Sequence, residues 1–240
     1  MNETIKKKSS HRRYIIAPVV ILLLITSALV LFVFIEAQKN DPASENIIRQ
    51  AAAAQLGKDT NSLTDEDFAK IIELSIGERT ETIFAMYDEE NSLTYADNKL
   101  SDIRLLEKFT NLKTLYLGSI DVPEGKVPKW MILLSKLGIY DLEKRLSLDL
   151  SPLDKLSQLE KLQLGGDAVI KIQPLSKLSN LKNLQLINAQ VSDLKPLKKL
   201  TQLEKIYIVF CPKLKYEDLV ELNKAIPNLE ITTTINKPKP

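Results

Sequence analysis

The chain is poor in the residues that carry chemistry. Its 240 residues include one cysteine, Cys211, and one histidine, His11. A lone cysteine excludes an intrachain disulfide, so an exported domain here must be held by packing, and Cys211 reads as a small buried residue on a turn rather than a reactive thiol or an intermolecular bridge. His11 precedes a long apolar run. The rest of the chain therefore has no histidine base, no Ser-His or Cys-His pair and no histidine-rich metal site. Glycine is sparse at seven residues, and Gly165-Gly166 in "LGGDA" lacks the G-x-x-x-x-G-K-[ST] spacing of a phosphate loop, which leaves the relaxation of a turn as its role. EF-hand spacing is absent. The acidic clusters at Asp65–Asp67 and Asp88–Glu90 lack a site context for glycoside hydrolysis, and the first is explained by a helix N-terminus, where negative charge is favourable. No enzyme activity and no catalytic, cofactor or metal site is expected.

Charge is also scarce where it would matter for nucleic acid. Residues 1–36 hold five basic and two acidic residues, which leaves 28 basic against 29 acidic in the remainder. A near-neutral remainder argues against a nucleic-acid partner.

One long hydrophobic run is present. Residues 15–35 carry no charge, and with Tyr14 they would span about 33 Å as a helix, against a hydrocarbon core of about 30 Å. Segment 14–35 reads as an uncleaved transmembrane anchor, because secretory apolar regions run only about 7–15 residues; the alternative is a signal peptide cut after "IEA" at Ala37. Lys6, Lys7, Lys8, Arg12 and Arg13 precede it, so residues 1–13 are expected in the cytoplasm and the rest outside, with anionic-lipid binding by this basic tail as a minor addition.

The remaining signal is periodic. Leu181, Leu184 and Leu186 fall 22 residues after Leu159, Leu162 and Leu164 and 22 before Leu203, Ile206 and Ile208. The template extends to Leu137, Tyr140 and Leu142, to Leu112, Leu115 and Leu117, and more weakly to Leu93 and Tyr95, to Ile71, Leu74 and Ile76, and to Ile226, Leu229 and Ile231. The second halves align as well: "VSDLKPLKKL" at 191–200, "VIKIQPLSKL" at 169–178 and "SLDLSPLDKL" at 147–156 keep a proline in register. Leucines alternating with polar residues predict a short strand with one buried face, and the proline-led half predicts a turn of helix. One unit cannot bury its own leucines; stacked units can.

On these repeats, with the D-L-x-P-L signature at Asp193, Leu194, Pro196 and Leu197, the chain resembles the bacterial internalin-like class of leucine-rich repeat proteins over roughly residues 68–231. The resemblance implies an α/β solenoid, a horseshoe with a parallel sheet on its concave face, and protein recognition there. Asparagine, the family's choice three residues past the last strand leucine, is matched by Asn98, substituted by Asp167 and Cys211, and missing at Ile120, Arg145 and Ala189.

Between the leucines, Thr114 and Tyr116, Ile139 and Asp141, Lys161 and Gln163, Asn183 and Gln185, and Lys205 and Tyr207 are expected to face the concavity as the partner-binding strip. Trp130, in the irregular step from Leu117 to Leu137, is either a partner anchor or a cover for the convex core.

A linker and helical cap are expected over 36–67, repeats over 68–233 and a disordered tail over 234–240. Within the cap, Pro42 opens a helix whose apolar face is Ile47, Ile48, Ala51 and Ala54 and which Gly57 ends; membrane-proximal dimerisation is its alternative use. Thr64 and Asp67 form a capping box for a second helix. The expected function is protein binding by a membrane-anchored, extracytoplasmic module. The alternative is a structural protein of the cell envelope that self-associates or binds cell-wall glycan.

Overall fold

A computed structural model describes residues 41–76, 100–118, 136–137 and 147–238. Segment 14–35, Leu93 and Tyr95, Trp130, Ile139 and Asp141 lie outside the described residues. Among the described residues no helix is long and apolar enough to cross a membrane. The chain divides into two compact units, Met1–Asp41 and Pro42–Pro240, and all of the structure below belongs to the second.

The alternating leucines form strands. β1 (Glu73–Ile76), β2 (Thr114–Leu117), β3 (Lys161–Gly165), β4 (Asn183–Ile187), β5 (Lys205–Val209) and β6 (Glu230–Thr233) make one parallel sheet in chain order. Pairing is in register, so that Leu74, Leu115, Leu162, Leu184, Ile206 and Ile231 form one row across the sheet, and Ile76, Leu117, Leu164, Leu186 and Ile208 a second. Apart from Ile231, these side chains are no more than 2% exposed. At about 1.5–3 kcal/mol for each fully buried leucine or isoleucine, the two rows supply much of the force that holds the stack together.

The proline-led halves return the chain as 3-10 turns at Arg104–Lys108, Ser151–Lys155, Gln173–Lys177 and Lys195–Lys199, with proline at the first or second position of the last three. Each turn buries one leucine: Leu106, Leu153, Leu175 and Leu197. The aspartate of the D-L-x-P-L signature has a local job. Asp102, Asp149 and Asp193 each accept, through Oδ1, the backbone N–H two residues on, at 2.8–2.9 Å, which caps an otherwise unpaired donor at the turn. Neighbouring turns are laced by Lys177 to Asp154, and by Asn180 Nδ2 donating to Ser157 O at 2.8 Å.

Among the described residues, two expected units contribute no strand to the sheet. β1 pairs directly with β2, so nothing from Leu93–Tyr95 lies between them, and β2 pairs directly with β3, so the unit at Leu137, Tyr140 and Leu142 does not intervene either. Leu137, expected in the core, is 62% exposed. The sequence contains the reason. Stacking the first copy would place Glu90 where Leu112, Leu159 and Leu181 are fully buried, and stacking the second would place Arg145 where Ala189 and Cys211 are buried. Burying an unpaired charge costs several kcal/mol, more than one leucine row returns. The 22-residue spacing is realised from Lys161 to Asn183 to Lys205.

The N-terminal end is closed by α1 (Pro42–Leu56) and α2 (Asp65–Lys70). α1 buries Ser44, Ile48, Ala52 and Ala53, while Ala54 is exposed, so the helix is rotated relative to the face expected from Ile47, Ile48, Ala51 and Ala54. Ser44 sets that rotation: its Oγ accepts the Ser101 N–H at 2.9 Å and the Asp102 N–H at 3.3 Å, locking the 44-48-52 line against the first turn. Gly57, at φ +64°, ends α1, and Lys58 N–H reaches back to Ala53 O at 3.1 Å. Phe68 of α2 is fully buried, with its ring 5.0 Å from Phe109 and the Arg49 guanidinium 5.5 Å above it. At the other end, α3 (Tyr216–Ala225) buries Leu219 and Leu222 before β6. Thr234 and Ile235 extend the sheet contacts beyond β6, Thr234 through an N–H bond to Ile208 O at 3.2 Å.

The predicted capping box is present and feeds a charged cluster. Asp67 is 1% exposed; its Oδ2 accepts Thr64 N–H and Oγ1–H, each at 3.1 Å, and its Oδ1 accepts Lys58 Nζ at 2.7 Å and Lys70 Nζ at 3.1 Å. The Lys58 bond, then the Thr64 backbone, then Lys70 hold the Asp67 carboxyl far below its ordinary 3.8. A carboxylate depressed on folding contributes stability above its unfolded value and loses it as pH falls toward the folded one. Acid melts of the wild type and Asp67→Asn check this: the variant melts lower at neutral pH, and the gap between the two closes as pH falls below about 4.

Candidate recognition surface

The face of the sheet opposite the core is built from side chains that alternate with the leucines, and in-register pairing arranges them as rows across the strands. Rows advance by about 4.8 Å per strand. The first row precedes the strands and alternates in sign: Lys113, Glu160, Lys182 and Glu204. Glu160 sits between two lysines, 3.0 Å from Lys182 Nζ and 3.9 Å from Lys113 Nζ. The Lys182 hydrogen bond, more than any other contact, holds the Glu160 carboxyl below its ordinary range, and in return Glu160 raises Lys182.

The second row is Glu73, Thr114, Lys161, Asn183, Lys205 and Glu230. Lys205 pairs with Glu230 at 2.9 Å, and this bond raises Lys205. The third row, Ser75, Tyr116, Gln163, Gln185, Tyr207 and Thr232, carries no formal charge. Tyr116 and Tyr207 stand three strands apart in it, about 14 Å. A fourth row, Gly165, Ile187 and Val209, is apolar.

The expected binding residues divide. Thr114, Tyr116, Asn183, Gln185 and Tyr207 are half-buried on this face, and Lys161 and Lys205 are exposed. Gln163 is not available: it is 2% exposed, bracketed in its row by the larger Tyr116 and by Gln185, so it belongs to the sheet's own packing. Asp141 and Trp130 lie outside the described residues, and with β2 paired to β3 no strand from the Asp141 unit enters the strip.

Two central acceptors are left over. Asn183 Oδ1 and Gln185 Oε1 are buried without a hydrogen-bond partner among the described residues. They occupy alternate positions of β4, on the same face. An orphaned buried acceptor costs about 1–3 kcal/mol, so the centre of the surface is built against stability.

One further buried side-chain oxygen, Asp154 Oδ1 on the turn at Ser151–Lys155, also has no hydrogen-bond partner among the described residues. A cleft of about 310 Å³ lined by Glu45, Arg49, Asp102, Arg104, Leu105 and Lys108 has its cations paired, Arg49 to Glu45 at 2.8 Å, Arg104 to Asp102 at 2.6 Å and Lys108 to Asp65 at 2.6 Å. Cys211 is buried as expected, with Sγ 3.6 Å from Leu186 O and from Val209 O, and burial pushes its thiol up. Among the described residues no group of histidine, cysteine or carboxylate side chains could hold a metal ion.

The charge ladder of the first row escapes a reading confined to the strand positions. Its signal lies in the sequence, as a sign alternation at the residue after the first leucine of successive units.

The orphan acceptors are open to measurement. Asn183→Leu combined with Gln185→Met keeps the volume and removes both, and it is expected to raise stability by about 1–3 kcal/mol in a urea titration. A fall would show that the amides are partnered in solution.

Comparison with known proteins gives similar solved structures and no more. No protein-family model matches the chain, and no curated protein does. Among solved structures, an internalin C2 of Listeria monocytogenes is 22% identical over 82% of this chain and 86% of its own, with a TM-score of 0.34. An internalin, InlF, of the same organism is 23% identical over 82% and 67%, with a TM-score of 0.32. A leucine-rich repeat protein of Leptospira interrogans is 20% identical over 54% and 33%, with a TM-score of 0.35. At such identities and scores these likenesses say nothing about what this chain binds.

Proposed function

We propose that this chain is a single-pass membrane protein of the bacterial envelope, a leucine-rich repeat module of the internalin-like class. In this reading the repeats stand outside the cytoplasm and hold a protein partner on the open face of the sheet, which the family resemblance makes the concave one. The observation that carries the reading is the central patch of that face: two orphaned amide acceptors on β4, set between Tyr116 and Tyr207. A folded chain that had only to be stable would use other residues there. Tyrosines bounding polar groups match the composition of binding hot spots.

Location rests on residues 1–35. An uncharged run long enough to span a bilayer follows a cluster of lysine and arginine, and such a cluster stays on the cytoplasmic side.

A second reading, a structural envelope protein that self-associates or binds cell-wall glycan, is favoured by the third row. Its hydroxyls, amides and tyrosine rings carry no charge and suit a sugar polymer. Proteins crosslinked to the full chain in intact cells separate the two. Tyr116→Ala with Tyr207→Ala is expected to lower the yield of the protein adduct at least tenfold, since hot-spot tyrosines contribute about 2 kcal/mol or more each. Unchanged yield would remove the open face from consideration, and concentration-dependent assembly in light scattering or retention on purified wall polymer would favour the second reading.

Topology has its own test. Protease added to intact cells is expected to digest the chain beyond residue 41 while leaving an N-terminal tag protected; protection of both ends would place the repeats in the cytoplasm.

A further inference from the structure

The open face changes character at β4. In the second row Asn183 stands between Lys161 and Lys205, and in the third Gln185 stands between Gln163 and Tyr207. Asparagine and glutamine are shorter than Lys205 and Tyr207 beside them, so β4 runs as a low line next to β5. Neither Asn183 Oδ1 nor Gln185 Oε1 has a hydrogen-bond partner among the described residues, although both residues are only half-buried. A primary amide carries one acceptor and two donors. Its terminal torsion is soft and roughly two-fold, so oxygen and nitrogen exchange places without moving the rest of the side chain. Each amide can therefore offer a partner an acceptor, a donor or both.

Spacing decides what fits. Residues 183 and 185 are alternate positions of one strand, which sets the two amides about 6.6 Å apart along β4. An extended polypeptide has the same repeat: alternate residues turn both N–H and C=O to one side, about every 6.6 Å. One amide thus meets one residue of such a chain, accepting from its N–H and donating to its C=O, and the second amide meets the residue two further on. A helix presents no such row, because its backbone groups are bonded internally except at the ends. Side-chain groups on a folded surface carry no fixed repeat of this length.

We propose that Asn183 and Gln185 form a clamp for the backbone of an extended peptide segment of the partner, laid along β4 on the open face. The inference rests on the protein-binding reading above and names the form in which the partner is held. A clamp of this kind fixes the course and register of the segment. Sequence preference is left to the flanking side chains, Lys161 on β3 and Lys205 and Tyr207 on β5.

The test uses the full chain in detergent micelles, applied to an array of random dodecapeptides. A backbone clamp finds binders there, because every peptide has the backbone it reads. Binders are then remade with single N-methyl amides stepped along their length. Methylation is expected to weaken binding at least tenfold at two amides two residues apart, and less than twofold at the amide between them. Asn183→Leu with Gln185→Met is expected to weaken the unmethylated peptide at least tenfold and to erase the alternation, while melting no lower than the wild type. A methylation profile without alternation would overturn the clamp, as would equal binding by the double variant. A double variant that melts lower would overturn it too, since the amides would then be bonded within the chain. So would an array with no binder, or retention of purified wall glycan in its place. The crosslink in intact cells tells these failures apart: an adduct still lost with Tyr116→Ala and Tyr207→Ala leaves the binding reading standing without the clamp, whereas an unchanged adduct removes both.

Discussion

Each strand-and-turn unit of this chain has leucines on one side and nothing of its own to cover them. That constraint decides the rest of the structure. Leu184 is fully buried because Leu162 and Ile206 flank it in the same row, and those depend in turn on Leu115 and Ile231. Stability is thus a property of neighbours, added unit by unit along the stack. The sheet is parallel because every unit repeats one hand and one length of return, and the return is short because a 3-10 turn capped by an aspartate spends few residues on satisfying its first N–H. The same dependence explains the ends. At the N-terminus Phe68, Ile48 and Ala52 supply the missing neighbour for β1, while at the C-terminus Ile231 is left half-buried.

Stacking also determines which residues are free to vary. In the units of β3, β4 and β5 the core leucines and isoleucines and the residue in left-handed conformation, Gly166, Asn188 or Phe210, are claimed by packing or backbone geometry. What remains is the open face. Departures from good folding chemistry on that face are therefore informative in a way that departures in the core are not. Asn183 and Gln185 leave acceptors unpaired in the middle of the sheet. Both lie on β4, one of the strands that follow at the undisturbed 22-residue spacing.

Much of this could be read from the residues. Leucine spacing located β1 to β6 and their core rows, the proline phase located three of the 3-10 turns, and Thr64 with Asp67 located the start of α2. Two units were over-counted because a template of leucines records the attractive half of stacking and omits the repulsive half. Leu137 and Leu142 fit, but Arg145 falls on a site that buries Ala189 and Cys211 in the units that do stack. Leu93 fits, but Glu90 falls on a site that buries Leu112. Rotation of α1 was misjudged because it is fixed by a hydroxyl, Ser44, bonding backbone groups almost sixty residues away, and no local periodicity encodes that. Gln163 was placed by strand alternation on an open surface, which predicts direction and not coverage by Tyr116 and Gln185.

The uneven spacing of the strands bears on where a partner would sit. Chain 77–113 separates β1 from β2 and chain 118–160 separates β2 from β3, whereas β3 to β5 follow one another at the minimal repeat with every row filled. A binding surface gains affinity when its side chains are already held in place, because less conformational freedom is lost on association. Side chains on β4 have a paired strand on both sides and fixed neighbours in all four rows, so that Asn183, Gln185 and Ile187 are among the best-held groups on the face. Tyr116 is held by a strand whose connections on both sides depart from the repeat. On the proposed reading, partner contacts that depend on fixed geometry belong on β4 and β5, with Tyr207 better held than Tyr116.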